Sequence, residues 1–235
     1  MSDFFTGLYD YVVNFYPNYV ETYSSEMWES IGQTFLMVGI SLAAAILLGL
    51  PLGTLLYLTR KGQKYENRTL FGVLDFVVNI VRSFPFLLLV VFMIPFTRMI
   101  VGTALGTVAA SVPLAVVAIA TYSRLAEQSL LEVPRGVVEA SSSMGATLPQ
   151  FIFKFLFVEA RSGLVRGLTT STISFISYST VVGVVGGGGI GDFAIRYGYQ
   201  RYETELMVFT IMIMIVLVQL VQYLGNLLSR SLDKR

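Results

Sequence analysis

The chain has 235 residues, of which 54% are hydrophobic and only 13% charged, and its formal net charge is +1. Soluble domains carry about 25% charged residues, so the composition excludes an ordinary soluble fold and points into a bilayer. The absence of cysteine and histidine excludes disulfides, thiolate metal sites and the usual neutral-pH base, and so small a net charge gives nucleic acid no attraction.

Residues 1–30 contain no Lys or Arg but five acids, Asp3, Asp10, Glu21, Glu26 and Glu29. The start MSDFFTG lacks the cationic region of a signal peptide, so no cleavage is expected. Phe4, Leu8, Val12, Phe15 and Tyr19 recur at helical spacing, and Tyr9, Tyr11, Tyr16, Tyr23 and Trp28 add an aromatic belt. An amphipathic N-terminal segment over 1–30, lying at the outer interface, is expected.

Ile31–Leu58 is uncharged throughout and exceeds the roughly 20 residues that a hydrocarbon core requires. Pro51 with Gly49 and Gly53 predicts a bend or a tight helix contact inside it. Arg60, Lys61, Lys64 and Arg68 follow directly, a marker of the cytoplasmic side. A second span is predicted over Val77–Thr97, with Arg82 inside it. A third is predicted within Met99–Ser123, with Pro113 in its interior and a tight turn around Arg98 before it. Residues 122–166 form a long polar connection. The fourth span, within Gly167–Gly191, is uncharged but rich in Ser and Thr. A polar loop is expected over Asp192–Glu205, then a fifth span over Leu206–Ser229 and a cytoplasmic tail, 230–235.

Orientation follows from charge. With the N-terminus outside, twelve of the 16 Lys and Arg residues face the cytoplasm, and only Arg98, Arg196 and Arg201 face outward. The positive-inside bias therefore predicts an all-α polytopic membrane protein of five transmembrane helices, N-out and C-in. The same topology places the connection between spans 3 and 4 in the cytoplasm.

That connection contains VVEASSSMGATLPQFIFKFLFV (Val137–Val158). Pro134 suits a helix start, and Val137, Val138, Ala140 and Met144 supply apolar spacing. Gly145 stands where a helix end needs positive φ. Thr147 is placed to cap a second short helix with Pro149 in its first turn, on which Phe151, Ile152, Phe155 and Leu156 form one apolar face. Such a hairpin either lies on the membrane or docks as a lever against another protein.

Chemistry-bearing motifs are scarce. No G-x-x-x-x-G-K-S/T occurs, so there is no P-loop for nucleotide. The glycine run Gly186–Gly189 and Gly191 ends an apolar span, which suits a break in the helix at the outer mouth better than a phosphate cradle. With no His or Cys, and with acids on opposite membrane faces, no catalytic residues and no enzymatic activity are expected. Arg82 lies within a span, where a charge is costly. It reads as a snorkelling cation or an ion-pair partner, with Asp75 the nearest candidate acid, or as a residue with a direct transport role. On the fourth span Thr170, Ser174 and Ser177 fall within about 60° of one another at 100° per residue. With Tyr178 and Val181 they are the candidates for the translocation path or gate, or else serve interhelical packing.

The loop residues Glu139, Ala140, Ser141, Met144, Gly145 and Ala146 resemble the EAA loop of ABC importer permeases. That family's pattern has alanine at position 141 and proline at 158, where this chain has Ser141 and Val158. Two further stretches, NIVRSFPFLLLVVFMIPFTRMIVGT (Asn79–Thr103) and GGGGIGDFAIRYGYQRYETELM (Gly186–Met207), are similar to the methionine-importer permeases. The resemblance covers the core, 31–229. It implies a homodimer in the bacterial cytoplasmic membrane, with a coupling helix at 139–146 pressed against two cytoplasmic ATPase subunits and an external binding protein delivering D- and L-methionine. ATP would be bound by the partner subunits, and no cofactor by this chain. Another amino acid as substrate, or a passive channel, are the alternatives.

Overall fold

The computed structural model describes the backbone of residues 17–233 and side chains from residue 23 onward. Among the described residues all regular structure is helical. Helix α1 (Pro17–Ala44) passes residue 30 without a break, so no boundary separates an N-terminal segment from the first span there. Residues 1–16 of that expected segment lie outside the described residues. A π-helical turn at Ala45–Gly49 and α2 (Leu50–Thr59) continue the helix, which is unbroken over Tyr23–Thr59. Pro51 lacks an N–H, and the turn before it widens: the Leu50 N–H donates to the Ala45 carbonyl, five residues back. The expected tight contact is here as well. A Cβ on Gly49 would stand 3.0 Å from the Ile119 carbonyl oxygen, and one on Gly53 would overlap that of Ser123.

The second span is two helices, α3 (Arg68–Ser83) and α4 (Phe86–Val101), bent by 108°. Pro85 disfavours helical backbone at the residue before it, and Phe84 is extended with ψ 131°. The continuous helix expected over Val77–Thr97 is therefore corrected to a broken pair that starts earlier and ends later. Arg98 lies in the last turn of α4, not in a connecting turn. The connection is Gly102–Gly106, and the third span is α5 (Thr107–Leu131), with Pro113 inside it.

After α6 (Arg135–Ser143), the short α7 (Leu148–Gln150) passes through a π-helical stretch, Phe151–Leu156, into α8 (Phe157–Val182). The helix runs unbroken from Leu148 to Val184. The second short helix of the hairpin is thus the foot of the fourth span. No proline follows Pro149 in this stretch, and Val158 stands where one would have stopped it.

At the other end α8 breaks at its glycines. Gly186, Gly188 and Gly189 take φ of 88°, 75° and 86°, values that side chains resist, and the chain reverses. Helix α9 (Gly189–Phe193) and a π-helical turn, Ala194–Tyr199, fold back so closely that a Cβ on Gly191 would overlap Thr180. The polar loop expected over Asp192–Glu205 is therefore helical as far as Tyr199. Its apolar face explains this: Ile190, Phe193 and Tyr197 are buried with Met27, Ile31 and Leu206. The reversal is fastened to α1, where Gln33 Oε1 accepts from the Gly189 N–H at 2.7 Å and Thr34 Oγ1 from the Ile190 N–H at 2.9 Å.

Helix α10 (Thr204–Leu232) is the last span. It packs on α8 through small residues: Gly225 abuts Thr169, and the Ser162 and Ser229 hydroxyls lie 3.0 Å apart. The main core gathers Met37, Leu114, Ala118 and Phe175 from α1, α5 and α8. Among the described residues four helices are long and apolar enough to cross a membrane, or five with the bent pair α3–α4 counted as one span. Exposed Leu88, Phe92, Ile215 and Leu220 belong against lipid.

Candidate functional site

The hairpin between the third and fourth spans is built from local signals. Pro134 precedes the first turn of α6, and Val137 and Val138 pack on a cluster containing Tyr57, Leu130 and Leu156. The helix ends as its sequence requires. The Ala146 N–H donates to the Ser141 carbonyl at 3.1 Å and the Gly145 N–H to that of Ser142 at 3.0 Å, with Gly145 at φ 69°. This double closure needs a left-handed residue at its hinge. Thr147 and Gln150 then form a reciprocal capping box, with Pro149 in the first turn of α7.

These bonds sort the six candidate loop residues into two groups. Glu139, Ala140, Met144 and Gly145 are exposed, Met144 at 72%. Ser141 is fully buried, its hydroxyl donating to the Val138 carbonyl at 2.7 Å, and Ala146 is half-buried. The exposed group forms a surface that the chain itself leaves uncovered, with Phe153 exposed at 66% farther along the hairpin. Lys64, from the 60–67 loop, steadies the hairpin by donating to Ser142 Oγ at 3.2 Å. In that loop the Gly62 N–H, and after it Arg68, hold the Glu66 carboxyl below its ordinary range. The Glu66 bonds therefore persist at neutral pH and are lost only as pH falls through that lowered value.

Above the hairpin lies an ion network that pattern reading missed. Glu127 on α5 accepts from Arg60 at 2.9 Å and from Arg124 at 2.7 Å, and Arg124 also donates to Asp75 on α3 at 2.6 Å. Asp75 is therefore the partner of Arg124 and not of Arg82. The signals were Asp75 and Asn79 one turn apart on an apolar helix, and Arg124 and Glu127 likewise. Arg82 is exposed in the last turn of α3, where the carbonyl end favours a cation. It has no ion pair among the described residues.

On the fourth span the candidates divide again. Ser177 and Val181 line a groove of about 550 Å³ between α8, α9 and α10, together with Thr180, Ile211, Met214 and Gln219. Thr170 is exposed and Ser174 half-buried on the same face, their hydroxyls donating to the Arg166 and Thr170 carbonyls. Tyr178 points elsewhere, stacking on Phe86 with ring centroids 4.6 Å apart. The set is thus one hydroxyl-bearing face plus one tyrosine braced against the elbow of the second span.

Comparison with known proteins agrees with this architecture. The chain is 49% identical over 203 residues to the probable D-methionine transport system permease protein MetI of Vibrio cholerae, covering 86% of this chain and 90% of that one. It is 38% identical over 221 residues to the methionine import system permease protein MetP of Bacillus subtilis, covering 94% and 98%. Among solved structures, an inward-facing MetNI methionine ABC transporter superposes with a TM-score of 0.87 at 41% identity, covering 89% of this chain and 99% of that one. An amino acid ABC transporter with a TM-score of 0.73 and 18% identity shares the fold. Residues 45–234 match the binding-protein-dependent transport system inner membrane components, and the chain belongs to that family of membrane transport subunits.

Proposed function

We propose that this chain is the permease subunit of an ATP-driven methionine importer. The relatives that match over nearly their whole length are named for methionine transport. The observation that carries the reading is an uncovered hairpin face at Glu139–Gly145 on a chain that has no P-loop of its own. On this reading the chain takes its energy from a nucleotide-binding partner docked on that face. Two copies of the chain with two cytoplasmic ATPase subunits and an external binding protein make the working assembly. ATP is held by the partners, and this chain needs no cofactor.

Charge distribution supports the N-out, C-in orientation, which puts the hairpin in the cytoplasm. In the cycle, ATP draws the ATPases together, the hairpins follow, and the fourth spans part toward the outside to receive substrate. Hydrolysis reverses the movement. The face bearing Thr170, Ser174, Ser177 and Val181 lines the path, with Tyr178 braced beside it on Phe86 and Arg82 at the elbow of the second span. Each ligand drives the cycle only through its differential affinity for the two states.

Reconstitution with the ATPase and binding protein in vesicles tests the reading. Uptake of labelled methionine that needs ATP, and that unlabelled methionine suppresses better than other amino acids, is the expected result. Uptake without nucleotide would identify a passive channel instead.

A further inference from the structure

The hairpin joins the bundle at two places, through the short Leu131–Arg135 connection to the end of α5 and through α7 directly into α8, so its displacement reaches α5 as well as the fourth span. At that end four charges on three elements are joined. Glu127, with its side chain 1% exposed, takes Arg60 from the end of α2 and Arg124 from its own helix. The Arg124 fork also reaches α3, donating to Asp75 at 2.6 Å and to Asn79 at 3.0 Å, while Asn79 donates to Asp75 at 2.9 Å. The two cations and two carboxylates balance. Separating either arginine from Glu127 would leave a buried carboxylate with one cation in place of two, so these elements resist moving apart. Arg124 bonds Glu127 through one terminal nitrogen and Asp75 through the other. A lysine ammonium lacks that planar reach.

Beyond Asp75, α3 runs to the 108° elbow at Phe84–Pro85, and the next residue, Phe86, stacks on Tyr178 of the fourth span. A continuous line of contacts therefore runs from the hairpin through α5, Arg124, α3 and the elbow to α8.

We propose that Arg124 is a positioning residue of the transport cycle. It locks α3 to α5, so that displacement of the hairpin carries the second span and its elbow, braced by Phe86 on Tyr178, along with the fourth span. The proposal rests on the permease reading above. It predicts that weakening the tie separates ATP consumption from transport, because the hairpin still engages the ATPase while the second span no longer follows.

The test uses the complete transporter, with ATPase and binding protein, in vesicles, and measures labelled methionine uptake beside ATP hydrolysis. In Asp75→Asn and in Arg124→Lys, uptake is expected to fall about tenfold, within the range of known coupling strengths, while hydrolysis stays within about twofold. The chain has no cysteine, so the pair Asp75→Cys and Arg124→Cys can be joined by a short reversible thiol bridging reagent. Bridging is expected to restore at least about half of the uptake, and reductant to abolish it again. Unchanged uptake in the variants, or a parallel fall of uptake and hydrolysis with no recovery on bridging, would overturn the proposal. Failure of the unmodified complex to import methionine would count instead against the substrate reading, an outcome no variant can mimic.

Discussion

At Gly145 a single backbone angle shapes the exposed hairpin surface proposed to meet the ATPase. Its φ of 69° costs an L side chain about 1–2 kcal/mol, more for a β-branched one. No atom lies within 4 Å of an added Cβ, so the strain is conformational and not steric. Gly145→Val is therefore expected to leave membrane insertion intact while cutting ATP-driven uptake about tenfold, as the hairpin tip loses its shape. Uptake measured against the amount of inserted protein checks this. Pro134, Gly145, Thr147 and Pro149 were legible in the sequence because each acts on its own few residues. The division of the loop was not. Ser141 is buried because it lies one turn after Val137 and Val138, on the face of α6 that packs toward Tyr57 and Leu130, and its polar side chain hid that position.

Among the elements, the elbow in the second span separates local signal from apolar bulk. The run from Val77 to Thr97 reads as one helix because its hydrophobicity is continuous, yet Pro85 extends Phe84 and splits it. Pro85→Ala is expected to let the two halves straighten, since Phe84 then loses its restriction. Spin labels at Leu70→Cys and Ile100→Cys would then stand farther apart than in the parent, and uptake would drop with them. An unchanged distance would show that packing of Phe86 on Tyr178, rather than the proline, holds the bend. The helical return of Ala194–Tyr199 was hidden for a related reason. Arg196, Arg201 and Glu203 made the segment look polar, while its other face, Phe193 and Tyr197, found a core only because glycines turn the chain back. The pairing of Asp75 with Arg124 likewise depends on helices far apart in sequence.

For the whole molecule, the apolar spans, the glycine break and the hairpin between the third and fourth spans were legible because bilayer thickness and local turn chemistry are coarse constraints. On the proposed reading, the energy for transport enters from the partner ATPase through the exposed face of α6. The most direct measurement is the labelling of Met144→Cys, in this otherwise cysteine-free chain, by a membrane-impermeant maleimide in vesicles of each orientation. The account predicts labelling from the cytoplasmic side only, with strong protection once the ATPase is bound. Labelling from the outer side, or equal labelling with and without the ATPase, would contradict it.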